Sequence, residues 1–209
     1  MSIPIPFLID QNDIIIDVGF STRIPCIDDA IDLDISPALT TQNITIRYQP
    51  VDLNDTIESD PITIGKAMTF TLDLNVWDVY HAETSLTQEL DASHADLTDL
   101  GLLLFRQNNT FRRRWELTCL GRNQVIMLEH FWIATEWQNR GIGTTVLQRL
   151  LAYWHANAGI VTVMPVPIMP GTGERLPNED AALLLPRLHR FYRHLGFRPQ
   201  ARSTLWTHL

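Results

Sequence analysis

Gly141 and Gly143 stand between a polar turn, Thr135 to Arg140, and an apolar helical stripe. A strand, a turn, Gly-x-Gly and a helix gather unpaired backbone N–H groups and the positive end of a helix dipole at one point, and glycines let an anion approach the backbone closely. The chemistry expected there is the binding of a pyrophosphate. Two ordinary phosphate loops are excluded: no Gly-Lys-Ser/Thr follows, and Val146 holds the third glycine position of a Gly-x-Gly-x-x-Gly fingerprint. Other reactive side chains are dispersed. Cys26 and Cys119 lie far apart without a CxxC pair, so neither a zinc site nor a disulfide framework is predicted. The seven histidines lack metal-ligand spacing; His189 and His194 are five apart and would not share a helix face. Arg112-Arg113-Arg114 reads as solvated charge at the start of a strand rather than as a phosphate contact.

The elements that must position Gly141 and Gly143 are legible around them. Val125 to Ala134 reads as a strand, and after the turn the apolar stripe Val146, Leu147, Leu150, Leu151 and Trp154 marks a helix that Gly159 is placed to end. Ile160 to Met164 follows as a strand, giving a β-α-β unit whose helix covers the sheet. A Pro/Gly-rich loop leads to a last helix, which begins either near Glu179 with a kink or at Pro186, and ends at His194-Leu195-Gly196. Arg198 to His208 then reads as one or two strands. Upstream, Arg114 to Cys119 reads as a strand paired with Val125 to Ala134. Leu86, Leu90, Leu97, Leu100 and Leu104 recur at helical spacing, which predicts one or two amphipathic helices broken near Ser93. Residues 1–65 alternate β-branched runs (Ile14-Ile15-Ile16, Ile44-Thr45-Ile46, Ile62-Thr63-Ile64) with turn formers, and form a β-rich extension ahead of a domain at 66–209. The acidic run Asp28 to Asp34 reads as a solvated face.

Gln138-Asn139-Arg140-Gly141-Ile142-Gly143 resembles the Gln/Arg-x-x-Gly-x-Gly/Ala signature of the GNAT superfamily of N-acetyltransferases, and Phe191-Tyr192-Arg193-His194-Leu195-Gly196-Phe197 resembles that family's aromatic helix with a Gly-Phe end. The resemblance covers roughly residues 110–205. It implies an α/β (α+β) fold with a mixed, mostly antiparallel central sheet flanked by helices, and transfer of an acetyl group from acetyl-CoA to an amine. It also implies that backbone amides of Gln138, Asn139, Arg140, Gly141, Ile142, Gly143 and Thr144 bind the pyrophosphate. Ile133, Ala134 and Thr135 would pair with the pantetheine arm, and a free strand amide would polarise the thioester carbonyl. Tyr192 matches the position of the general acid. Its ordinary pKa of about 10 lies above a thiol at about 8.5, so hydrogen bonding to the sulfur is the fairer description. The base that takes the ammonium proton is Glu129, if alternation along a regular strand sets it beside Phe131 and Ile133; the alternative is an exposed or salt-bridged strand carboxylate. His130, on the opposite face of a regular strand, is the second candidate. One departure stands out: Leu185 occupies the position of a pantetheine-contacting Asn, and Arg140, Arg149 and Arg190 are candidates for the 3′-phosphate.

With 209 residues, 45% hydrophobic and 19% charged, the chain has room for one domain with an extension. A net charge of −8 argues against a sequence-independent grip on nucleic acid. No apolar run approaches a membrane span, so the expected protein is cytoplasmic and not membrane-bound. Its partners are then acetyl-CoA and an amine acceptor, with a homodimer through the C-terminal strands as a family-like arrangement. A non-catalytic acyl-CoA-binding or sensing module on the same fold is the alternative function.

Overall fold

The three β-branched runs near the N-terminus are strands of one sheet. In the computed structural model the described residues are 14–21, 38–49, 60–76 and 95–209, apart from 107, 109, 117, 120, 170, 171, 173 and 202. Strands Ile14–Ser21 (β1), Leu39–Tyr48 (β2) and Ile62–Asp73 (β3) pair antiparallel. β3 then pairs antiparallel with Gln124–Ile133 (β4), and β4 runs parallel to Ala158–Val163 (β5). Arg198–Pro199 (β6) and Trp206–His208 (β7) complete the order β1-β2-β3-β4-β5-β7-β6. The sheet is therefore mixed and mostly antiparallel, as expected. β3 runs straight through residues 65 and 66, so extension and domain share one sheet.

Four described α-helices flank the sheet: Ala95–Leu104 (α1), Arg113–Glu116 (α2), Ile142–Trp154 (α3) and Asn178–His194 (α4). No helix among the described residues is long and apolar enough to cross a membrane. Alternation along the strands feeds two cores. Ile44, Ile46 and Ile64 meet Val146, Leu147 and Trp154 of α3 on one side, while Phe70, Leu72 and Met127 meet Leu97, Leu100 and Leu104 of α1 on the other. β5, parallel to its neighbour, is buried at every position because both cores cover it. Leu86, Leu90 and the acidic run 28–34 fall outside the described residues.

Arg114 to Cys119 is not a strand. Residues 113–116 form the one-turn helix α2, because Trp115 is drawn under α1, where it is buried and its indole N–H donates to Leu103 O at 3.0 Å. Arg112 is a structural cap rather than a solvated charge. Its guanidinium donates to Phe105 O (2.9 Å) and Leu102 O (3.1 Å), satisfying carbonyls at the end of α1, whose last turn has no basic residue of its own. Gly159 does not end α3 either. The helix stops at Trp154 with His155 as its cap, and Gly159 lies inside β5, against the backbone of Thr118, Cys119 and Arg122.

A Cβ at Gly159 would lie 2.6 Å from Thr118 O and 2.9 Å from Cys119 Cα, both backbone atoms that no rotamer change can move. Gly159→Ala is therefore expected to destabilise the protein by about 1–3 kcal/mol. The check is the denaturant midpoint at unchanged slope; an unaltered midpoint would show that the turn yields freely.

Candidate active site

β4 and β5 pair only as far as Leu128 and Val163. Beyond that point β4 continues to Ile133 while the chain after β5 turns away through Met164 to Ile168, and the two leave a cleft of about 380 Å³ between them. Among the described residues, the β4 edge facing this gap has no strand partner there. Ala134 N–H donates to Ile64 O on the β3 side, so alternation turns the backbone groups of Ile133 and Phe131 toward the cleft. The Ile133 carbonyl there accepts a 2.8 Å hydrogen bond from Gln138 Nε2.

The strand is not regular. Leu128 pairs with Thr69 and His130 with Met68, which leaves Glu129 as the extra residue of a β-bulge. The bulge inverts the alternation: Ile126 and Leu128 face the α3 core, and so do Phe131 and Ile133. It also corrects the expected separation of Glu129 and His130 onto opposite faces. Consecutive side chains come together, with Glu129 Oε1 4.0 Å from His130 Nε2. The Glu129 side chain is 4% exposed, so it is not a solvent-exposed strand carboxylate.

The turn after β4 leads its backbone N–H groups into the start of α3. Trp137 is buried in the core against Tyr48, at 4.9 Å between rings, which anchors the 3-10 turn Thr135–Trp137. Asn139 (φ 62°) and Gly141 (φ 80°) are both left-handed, the second without steric cost. No side chain caps α3, and its first intrahelical bond is Thr145 N–H to Gly141 O, so the N–H groups of Ile142, Gly143 and Thr144 have no intrahelical acceptor. Gly143 lies beneath the stacked rings of Phe131 and Phe191, which are 6.2 Å apart and 6° from parallel.

Tyr192 is fixed by the end of its own helix. Phe197 N–H donates to Tyr192 O (3.0 Å) and Gly196 N–H to Arg193 O (3.1 Å), with Gly196 left-handed at φ 98°. This is a Schellman motif, and the ring of Phe197 packs edge-on against Tyr192 at 5.5 Å as its hydrophobic contact. Gly196-Phe197 thus holds the phenol in place. The residue is 4% exposed yet lines the cleft, and burial pushes the phenol pKa well above its ordinary value.

Glu129, Ile133, Gln138 and Asn139 line this one cleft, as do Gly141, Gly143, Thr144 and Tyr192. Several residues singled out in the sequence do not line it, His130 among them. Ala134 turns its N–H to β3, the Thr135 carbonyl accepts from Gln138 N–H, Arg140 lies 5.9 Å over the Trp137 ring, and Ile142 is buried in the core. Arg149 donates to Ile14 O on β1, and Leu185 and Arg190 line a separate groove on α4. Arg187, which the sequence reading passed over, does line the cleft and donates to Asn139 Oδ1. Helical spacing was the signal for it: Leu184, Arg187, Leu188 and Phe191 recur at three and four residues along the face that carries Tyr192.

A donor with a pyrophosphate and an extended amide arm fits these groups. The left-handed turn and free helix start suit the phosphates, and the open β4 edge suits the arm. No curated protein shows a significant match to the chain. Residues 106–199 match the family model described as Acetyltransferase (GNAT) domain. That segment runs from the end of α1 to β6 and contains the bulged strand, the turn between β4 and α3, and Tyr192, so this part of the chain is similar to the acetyltransferase domain of the GNAT superfamily.

Proposed function

We propose that the protein is an N-acetyltransferase that moves the acetyl group of acetyl-CoA to a primary amine by direct attack. The observation that carries this reading is the polarity of one cleft: the anion turn and Arg187 lie at its α3 end, and the buried Glu129 carboxylate lies on β4 beside the open strand edge. The donor's pyrophosphate is bound by the backbone amides of the turn and of the start of α3, of which Gly141, Gly143 and Thr144 line the cleft, whereas the Gln138 N–H is already held by Thr135 O. Its arm runs along Ile133 and Phe131, where the Gln138 side chain now occupies a carbonyl that a ligand amide can take over.

An ammonium has no lone pair, so Glu129 takes the proton from the acceptor amine before the nitrogen attacks the thioester carbonyl. A β4 amide facing the gap stabilises the oxyanion. As the carbon–sulfur bond breaks, coenzyme A leaves as a thiolate, and the second proton that the attacking nitrogen sheds passes to that thiolate or to solvent. Tyr192 donates a hydrogen bond to that sulfur and keeps its proton, because burial has raised the phenol pKa further above that of a thiol.

Isothermal titration with acetyl-CoA and CoA tests the reading, using Gly143→Asp as the control. A Cβ at Gly143 would meet only ordinary contacts, 3.7 Å from Phe131 and 3.8 Å from Ile133 and Phe191, and an acid is welcome in the first turn of a helix. The variant should fold, set a carboxylate where the phosphates bind, and weaken CoA by at least about 100-fold. A folded wild type that gives no heat with either ligand overturns the proposal. Binding without thiol release across an amine panel would leave the non-catalytic acyl-CoA module.

A further inference from the structure

Among the described residues, Arg187 is the only Lys or Arg whose side chain lines the cleft. It projects from α4 across to the anion turn, where Nη2 donates to Oδ1 of Asn139, the left-handed residue between β4 and α3. The other nearby arginines are engaged elsewhere: Arg140 over Trp137, Arg149 on Ile14 O, and Arg190 in the groove on the other side of α4. We infer that Arg187 is a specificity-determining clasp for the donor, holding Asn139 in the free protein and transferring to a phosphate oxygen when a nucleoside-pyrophosphate thioester enters.

The physical case rests on a difference between acceptors. An amide oxygen is neutral, whereas a phosphate oxygen is charged and matches the planar guanidinium fork in a paired, charge-assisted contact. Holding Arg187 on Asn139 confines a flexible side chain close to its place of use, so little further ordering is needed on binding. The same contact ties α4, which carries Tyr192, to the turn that binds the phosphates. A thioester lacking the pyrophosphate leaves Arg187 on Asn139 and gains nothing from it, so the clasp discriminates between a nucleotide-bearing donor and a simple pantetheine thioester.

This inference rests on the acyl-CoA reading of the cleft, and titrations of wild type, Arg187→Met and Asn139→Gly with CoA, ADP and pantetheine separate the two. Gly tolerates the left-handed backbone at 139, so Asn139→Gly removes the resting partner without strain. Arg187→Met should weaken CoA and ADP by about 10- to 100-fold, flatten the salt dependence of binding and leave pantetheine unchanged. Asn139→Gly, which keeps the guanidinium, should weaken CoA less than Arg187→Met does. Equal CoA affinity in Arg187→Met and wild type overturns the clasp while the acyl-CoA reading stands. An equal loss for pantetheine also overturns it, because the arginine would then be supporting the fold. Wild type that binds ADP through Arg187 but not CoA keeps the anion clasp and sinks the acyl-CoA reading.

Discussion

Tyr192→Phe is expected to lower kcat for acetyl transfer by about 100-fold while CoA affinity stays within a factor of about two. The substitution removes one oxygen from a residue whose ring is already held by Phe191 at 5.2 Å and Phe197 at 5.5 Å, and whose backbone is held by the Schellman motif at Gly196. Packing is thus retained and only the donor is lost. In the proposed reaction the hydroxyl acts on the leaving sulfur, whose charge develops as the carbon–sulfur bond breaks, so the loss should appear in kcat rather than in binding. Burial holds the phenol protonated well past its ordinary titration range. The wild-type pH profile should therefore show no falling limb from Tyr192 below about pH 10, and the Phe variant should run parallel to it. A kcat within a factor of about two of wild type would leave Tyr192 as a core aromatic.

What could be read in advance was whatever depends on residue type at fixed spacing. Gly141-Ile142-Gly143 followed by an apolar stripe marked both the helix and the left-handed turn before it, and Gly196-Phe197 marked the helix end beside Tyr192. The β-bulge was not legible, because Gln124 to Ile133 shows nothing that breaks alternation locally; the extra residue is set by pairing with Thr69 and Met68 on β3. Gly159 was misread for a related reason. A glycine just after an apolar stripe looks like a cap, whereas its actual constraint is a backbone carbonyl some forty positions earlier, at Thr118. Trp115 likewise carries strand propensity, yet its burial under α1 and its bond to Leu103 O outweigh that local preference. Arg187 became visible only when α4 was known to run unbroken past Pro186.

Glu129→Gln should lower kcat/KM at neutral pH by about 10²- to 10⁴-fold, the range that general bases contribute. Glutamine keeps the volume and much of the hydrogen-bonding capacity of the side chain but accepts no proton, so the fold should tolerate it. The diagnostic is the pH profile. Without a base, the amine must lose its proton to water before it binds productively, so the rate of the variant should climb tenfold per pH unit toward the amine's own pKa and approach wild type there. The bulge is what makes Glu129 suitable, since it brings a 4% exposed carboxylate to the cleft wall with His130 4.0 Å away. That proximity requires a paired test with His130→Gln, because either group is placed to accept the proton. A large loss confined to His130→Gln would move the base to the imidazole. Losses in both variants that exceed neither single effect when combined would show that Glu129 and His130 pass the proton between them. A Glu129→Gln enzyme with lowered thermal stability and wild-type kcat/KM would make the carboxylate a structural partner of the bulge and nothing more.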